Sequence, residues 1–340
     1  MHAPNIERDE RVAPATAASA GLPKSRSGAT MRVLVLGGYG SVGAPLVSDL
    51  QRRGDTVLVA GRNPERSDHV IDLAEPGLHS YRRAVTDTDV VVNASGAEDL
   101  RVAQLATEAG AAFVDLTATT RYVERLLALN PPQPIIVDVG LAPGLSTLLA
   151  AAVHTDAPGA IDIAVFLGAG ERHGVAATDW TYRLLGRRFP SVDGPVLNYT
   201  KPRSFPIPGH GRRRLYRADF SDQHTLTREL DIPTRTYFGV DSRLATAALA
   251  IATWIPGAAK LPRGLHFPGG DRWTVLARSH KGIGRWAQGH NQSRTSASIA
   301  ALAVRQIPEL ASGVHHLHHL ITIADLPAEC GIEFGNLDVE

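Results

Sequence analysis

The side chains and spacings best suited to chemistry come early in the chain. After an aliphatic run, Val33 to Leu36, the sequence reads Gly37-Gly38-Tyr39-Gly40-Ser41-Val42-Gly43 and passes into the amphipathic stretch Ala44 to Arg53. The glycines fit G-x-G-x-x-G on Gly38, Gly40 and Gly43, and also G-x-x-G-x-x-G on Gly37, Gly40 and Gly43. Such spacing suits a backbone that turns sharply and must approach a pyrophosphate with no Cβ between them. The helix start behind it offers unpaired N–H groups and a positive dipole end to the anion. A lone glycine pattern equally fits a tight turn; a strand before it and a helix after it favour the phosphate loop.

The next aliphatic run ends in Ala60-Gly61-Arg62-Asn63-Pro64, with Arg62 19 positions after Gly43. A carboxylate at this place binds a ribose 2′-hydroxyl, whereas an arginine can fork onto a 2′-phosphate and stack on adenine. The expected cofactor is therefore NADP(H) in preference to NAD(H), with Gly61, Arg62 and Asn63 at its adenosine end. Asp72 either meets the adenine amino group or caps the following turn. Asn93, Ala94 and Ser95 supply small residues for the nicotinamide ribose. Gly140 and Gly144 leave room beside the nicotinamide, and Pro143 suits the first turn of a helix.

Candidate substrate groups lie in the second half. Asp179, Trp180, Tyr182 and Arg183 share one expected helix, with Asp179 and Arg183 at an i, i+4 spacing. Arg183 could bind a substrate carboxylate or form a surface pair; Tyr182 could donate a proton or be a core aromatic. His280-Lys281, placed after a strand and before Gly282, is a second candidate catalytic pair, and Asp241 and His290 are further polar candidates. The cluster His315-His316-Leu317-His318-His319 reads as polar strand positions, so no metal is expected. Arg212, Arg213, Arg214 and Arg217 lack interleaved aromatics and suit a solvated hairpin or an acidic-substrate rim.

These groups need a scaffold, and the chain has material for about two domains in 340 residues with 44% hydrophobic side chains. Thirty-five basic residues oppose 34 acidic ones, a formal charge of +1, so no global field points to nucleic acid or an anionic membrane. Cys330 is the sole cysteine, which excludes an internal disulfide framework and a thiolate metal site and fits a cytoplasmic protein. No apolar stretch reaches the roughly 20 residues of a membrane span. Residues 1–30, rich in Ala, Pro and Ser, read as a flexible tail, and Met31 is a candidate translation start.

Short aliphatic runs at Val33 to Leu36, Thr56 to Ala60, Val70 to Leu73, Asp89 to Val92, Ala112 to Leu116 and Pro134 to Val137 imply strands buried on both faces. Residues 31–154 are thus expected to form a Rossmann, doubly wound parallel α/β domain. An inserted α+β domain over residues 155–290 holds the substrate or a partner subunit. Residues 291–340, read as helix Gln292 to Gln306 then strand and helix over Gly313 to Leu326, pack back on the first domain.

No Tyr is followed four positions later by Lys, which removes the proton-donor pair of short-chain dehydrogenases. The segments Gly37 to Gly43, Ala60 to Pro64, Val91-Val-Asn-Ala-Ser-Gly96, Phe113-Val-Asp-Leu-Thr117 and Asp138-Val-Gly-Leu-Ala-Pro-Gly-Leu145 follow one another as in the saccharopine dehydrogenase-like NAD(P)-binding oxidoreductases. The chain resembles the short bacterial branch of that family, most closely over residues 31–150. The resemblance implies a cleft between the two domains, a small-molecule substrate, a homodimer, and hydride transfer between NADPH and the C=N of an amino-acid-like molecule. The Lys and His acid/base pair associated with the family's lysine-forming members is absent, since the only lysines are Lys24, Lys201, Lys260 and Lys281. Reduction of an activated C=C bond and a non-catalytic NADP-binding redox sensor are the alternatives.

Overall fold

Strand and helix signals alternate through the first half of the chain, and each strand finds parallel neighbours. The structure is a computed structural model that describes residues 30–170, 175–260 and 269–337. All but the last residue of the expected tail lies outside that range. The first elements are β1 (Arg32–Leu36), α1 (Gly43–Arg52), β2 (Thr56–Gly61), β3 (His69–Val70), α2 (His79–Ala84), β4 (Val90–Asn93), α3 (Leu100–Glu108), β5 (Ala112–Asp115), α4 (Thr120–Leu127) and β6 (Pro134–Val137). There follow α5 (Ser146–Asp156), β7 (Ile161–Leu167), α6 (Val175–Arg183), β8 (Arg188–Phe189), β9 (Val196–Leu197), β10 (Thr200–Ile207), β11 (Gly211–Arg217), α7 (Ser221–Glu229), β12 (Thr234–Val240) and α8 (Arg243–Ala252). The chain closes with β13 (Arg272–Ser279), β14 (Gly284–His290), α9 (Gln292–Gln306), β15 (Gly313–His316) and β16 (Glu333–Leu337).

The first sheet runs β15-β6-β5-β4-β1-β2-β3 with every neighbour parallel. Alternate residues of β1 enter opposite cores, Val33 and Val35 on one side and Leu34 and Leu36 on the other. That is why the strands read as continuous aliphatic runs: each face loses water, at about 1.5–3 kcal/mol per buried Val or Leu. Strand order reverses between β1 and β4, and the crevice outside the carboxyl ends of these strands is where such sheets bind dinucleotides.

The second sheet is mixed, in the order β10-β11-β12-β7-β13-β14-β16, with β12 and β7 parallel and the other pairs antiparallel. Its register sets Phe238 beside Val165 and Val240 beside Leu167. With a side-chain period of two, these four residues share a face. Helix α9 packs against α1: Arg294 pairs with Asp49 of α1 at 2.8 Å, and Arg53 donates to the Ala301 carbonyl at 2.6 Å.

The C-terminal segment departs from the expected strand and helix over Gly313 to Leu326. Its strand ends at His316 as the outer strand of the first sheet, and short 3-10 turns at Leu317–His319 and Ile323–Asp325 replace the helix. The histidines are therefore not a run of strand positions. Strand β16, which the sequence did not signal, then joins the second sheet at β14. Strand β3 is also shorter than its aliphatic run, which leaves Asp72 beyond it to accept the Ala74 N–H at 3.0 Å.

Candidate active site

The glycine-rich loop between β1 and α1 is held by its own glycines. Gly37, at φ +74, passes so close to the chain after β4 that a Cβ would lie 2.9 Å from Ser95 Cα. Gly43 is tighter: a Cβ there would fall 2.1 Å from the Gly37 carbonyl oxygen and 2.7 Å from Gly38 Cα. Gly40 donates to the Gly37 carbonyl at 2.9 Å and accepts from Ala44 at 3.0 Å. Among the described residues the amides of Ser41 and Val42 at the mouth of α1 make no hydrogen bond. A cradle with no room for Cβ and free amides at a helix start fits a dinucleotide pyrophosphate.

Tyr39 shapes the exit of β2. Its ring lies where a Cβ on Gly61 would sit, 2.3 Å from Cε1, and its hydroxyl accepts the N–H groups of Arg62 at 3.0 Å and Asn63 at 3.1 Å. The Arg66 guanidinium covers the ring at 4.7 Å from its centroid. Arg62 is exposed, and its guanidinium has no partner among the described residues. Asn63 turns inward instead, with Oδ1 accepting from the Glu65 N–H at 2.9 Å to cap the turn Pro64–Arg66.

Beyond the phosphate loop a polar network fixes the ends of β4 and β5. Asn93 is fully buried and donates to Asp115 Oδ2 at 2.8 Å and to the Ala97 carbonyl at 2.9 Å, while its Oδ1 accepts from Ser95 Oγ at 2.7 Å. Thr117 donates to Asp115 Oδ1 through both N–H and Oγ1, at 2.9 and 2.5 Å. Burial nonetheless pushes the Asp115 carboxyl up to about 6, against the pull of these donors.

The chain after β6 is irregular. Gly140 (φ +151) and Gly144 (φ +130) flank a cis Ala142–Pro143 bond, and α5 starts only at Ser146, so Pro143 does not occupy a first helical turn. Ser296 of α9 accepts the Leu141 N–H at 3.2 Å. Beneath this loop lies fully buried Asp138, whose Oδ2 accepts from His316 Nδ1 at 2.6 Å and Thr225 Oγ1 at 3.2 Å. Next to it, burial and the neighbouring His319 and His316 push His318 down to about 3, so His318 is neutral at ordinary pH. Among the described residues no cluster of His, Cys, Asp and Glu could hold a metal ion.

One cleft of about 840 Å³ connects these parts to the second sheet. Of the expected cofactor residues, Gly37, Tyr39, Gly40, Ser41, Val42, Gly61, Arg62, Asp72, Asn93, Ala94, Ser95, Gly140 and Pro143 line it, while Gly38, Gly43, Asn63 and Gly144 stand behind the lining. Tyr182 and Arg183 line its far half. Arg183 meets Glu98 at 3.0 Å, and Glu98 also accepts from Thr119 Oγ1 at 2.7 Å. The Tyr182 hydroxyl has no hydrogen-bond partner among the described residues. Trp180 stands edge-on to Phe220, with centroids 4.6 Å apart.

His280 and Lys281 are not brought to this cleft. They sit in the β13–β14 turn, where His280 Nε2 lies 3.0 Å from the buried carboxylate of Asp162, which also pairs with Arg203. Asp241 accepts the amides of Ala169 and Gly270 at 2.8 and 2.7 Å, and His290 pairs with Asp271 at 2.8 Å; neither lines the cleft. Arg217 is buried rather than solvated, donating to Ser191 and Gln223 at 2.9 and 2.8 Å. Glu98, Thr117 and the α9 residues Gln292, Ser293 and Ser296 line the cleft without having been singled out in the sequence. The Thr-rich stretch after β5 and the helix start at Asn291, whose Oδ1 caps the Arg294 N–H at 2.9 Å, were the available signals.

Fold and loop together define an NAD(P)-dependent oxidoreductase. Residues 33–134 match the family described as saccharopine dehydrogenase NADP binding domain. No curated protein matches the chain. Among solved structures, a meso-dapdh mutant with DAP from Clostridium tetani aligns with a TM-score of 0.43 at 13% identity, over 88% of this chain and 96% of that one. Aspartate semialdehyde dehydrogenase II complexed with ASA from Vibrio cholerae aligns with a TM-score of 0.36 at 11% identity, over 78% and 75% of the two chains.

Proposed function

We propose that the protein transfers a hydride between NADPH and the C=N bond of a small amino-acid-like molecule held between the two sheets. The observation that carries this reading is the continuous cleft that runs from the glycine-rich loop to the Tyr182 hydroxyl, which has no hydrogen-bond partner among the described residues. The amides of Ser41 and Val42 bind the pyrophosphate, and the Arg62 guanidinium takes the 2′-phosphate, which favours NADP(H) over NAD(H). When bound, the nicotinamide supplies or accepts the hydride. The chain's own part is to orient the substrate and to hold a proton. Tyr182 Oη hydrogen-bonds the substrate nitrogen and exchanges the proton there, and Arg183 with Glu98 orients the charged head.

A second reading, reduction of an activated C=C bond, is favoured by the apolar wall formed by Phe238, Val240 and Leu167. Purified protein mixed with NADPH and either cyclic imines and amine–oxo acid pairs or α,β-unsaturated carbonyl compounds separates the two. Loss of the nicotinamide absorbance with the nitrogen panel supports the first; loss only with the unsaturated panel supports the second. The homodimer and a cytoplasmic location belong to the same proposal, and light scattering in solution tests the former. Among the described residues no helix is long and apolar enough to cross a membrane.

A further inference from the structure

The far half of the cleft is electrically sparse. Adjacent strands β7 and β12 present Leu167, Phe238 and Val240 from one face, and Trp180, Phe220 and Leu249 close over them from α6, the start of α7 and α8. The only charged side chains of the described residues in this half are Arg183 and Glu98, and they face each other at 3.0 Å. Both keep solvent contact, at 45% and 27% exposure, so a ligand can enter the pair without stripping two fully buried charges.

One guanidinium and one carboxylate can receive a single zwitterionic head, its carboxylate on Arg183 and its ammonium on Glu98. A second charged end would then have to lie against Phe238, Val240 and Leu249 with no counter-charge, and an unpaired buried charge is far costlier than the contact it gains. The geometry points to a substrate with one charged head and one uncharged, apolar arm: the arm lodges between Trp180, Phe220, Phe238 and Leu249, and molecules charged at both ends are rejected. This rests on the reading of the cleft as a joint dinucleotide and substrate site.

Calorimetric titration of the NADP⁺-saturated protein tests it, with the nicotinamide absorbance followed in parallel to separate turnover from binding. The probes are straight-chain 2-amino acids from alanine to 2-aminooctanoate, with 2,6-diaminopimelate as the molecule charged at both ends. Affinity is expected to rise about fourfold per added methylene, the gain for burying one CH₂, and diaminopimelate to bind no more tightly than alanine. The Leu249→Ala variant should lower the gain per methylene for the longer probes while keeping its NADP⁺ affinity. A flat or silent series in the wild type, or diaminopimelate as the tightest probe, overturns the inference while leaving the cofactor reading intact. Failure to bind NADP⁺ in the first step instead overturns the proposed function, and the inference with it.

Discussion

Replacing Gly43 by alanine tests whether the loop closes as described. The added Cβ would sit 2.1 Å from the Gly37 carbonyl oxygen and 2.8 Å from its carbonyl carbon. Both are backbone atoms, so relief requires moving the loop or α1 by about 1 Å, and overpacking that a side chain cannot absorb costs about 3 kcal/mol. With an unfolding entropy of about 2.1 cal/mol/K per residue over roughly 310 residues, that predicts a fall of about 5 °C in Tm. The displaced loop should also lose NADPH affinity by at least about 100-fold, because amides shifted by 1 Å no longer converge on one phosphate. Gly40→Ala is the matched control. Its Cβ meets only the Gly37 carbonyl oxygen, at 3.1 Å, and otherwise faces the cleft. It should change Tm by no more than about 2 °C, the lower end of the overpacking range, while still weakening NADPH at least about tenfold by blocking the approach of the pyrophosphate. Differential scanning fluorimetry and a nicotinamide-fluorescence titration read both effects. An unchanged Tm for Gly43→Ala refutes the packing account, and an unchanged NADPH affinity for Gly40→Ala refutes the pyrophosphate assignment.

Three further outcomes follow from individual side chains. Arg62→Ala should weaken NADPH about 10- to 100-fold, the worth of one charge-assisted hydrogen-bonded fork, and leave NADH within about twofold; equal losses for the two would remove the 2′-phosphate from this arginine. Tyr182→Phe should lower kcat about 100-fold, the lower end for a positioned proton donor, with NADPH affinity unchanged; an unaltered rate would assign the proton elsewhere. Asp222 is fully buried and accepts from Ser146 Oγ at 2.8 Å and from Thr236 Oγ1 and the Gln223 N–H, both at 2.7 Å. Burial raises its carboxyl from 3.8 to about 6. The folded state therefore binds this proton more tightly than the unfolded chain, so the stabilisation is complete below pH 3.8 and is lost as pH rises through about 6, a change of about 3 kcal/mol. The Tm of the D222N variant minus that of the wild type should climb between pH 4 and 6.5 and then level off; a difference independent of pH would contradict the assignment.

Where the determinants are local, the sequence carried the architecture. Seven residues make the whole glycine-rich loop, so the spacing of Gly37, Gly40 and Gly43 marked its sharp turn and close backbone approach, and aliphatic runs marked strands because both faces of the first sheet are buried. The exit of β2 was legible for the same reason, although Asn63 proved to cap a turn rather than face the cleft. Long-range partners were not legible. Arg183 meets Glu98 across 85 positions of chain, and Ser296 reaches Leu141 across 155. His280 and Lys281 looked like loop residues entering a cleft, yet hairpin turns occur at both ends of a sheet, and theirs lies away from the cleft lining. Strand β16 escaped notice because an exposed edge strand such as Glu333–Leu337 needs no apolar alternation. Arg217 was read as solvated because nothing in a run of arginines tells which one Gln223 and Ser191 will bury.

The crevice at the carboxyl ends of β1, β2 and β4 is the proposed NADP(H) site. Calorimetric titration of the purified protein with NADPH and, separately, NADH tests it most directly. One NADPH should bind per chain, at least about tenfold more tightly than NADH through the 2′-phosphate contact. Equal affinity for the two would contradict the role given to Arg62, and binding of neither would remove the cofactor from this crevice.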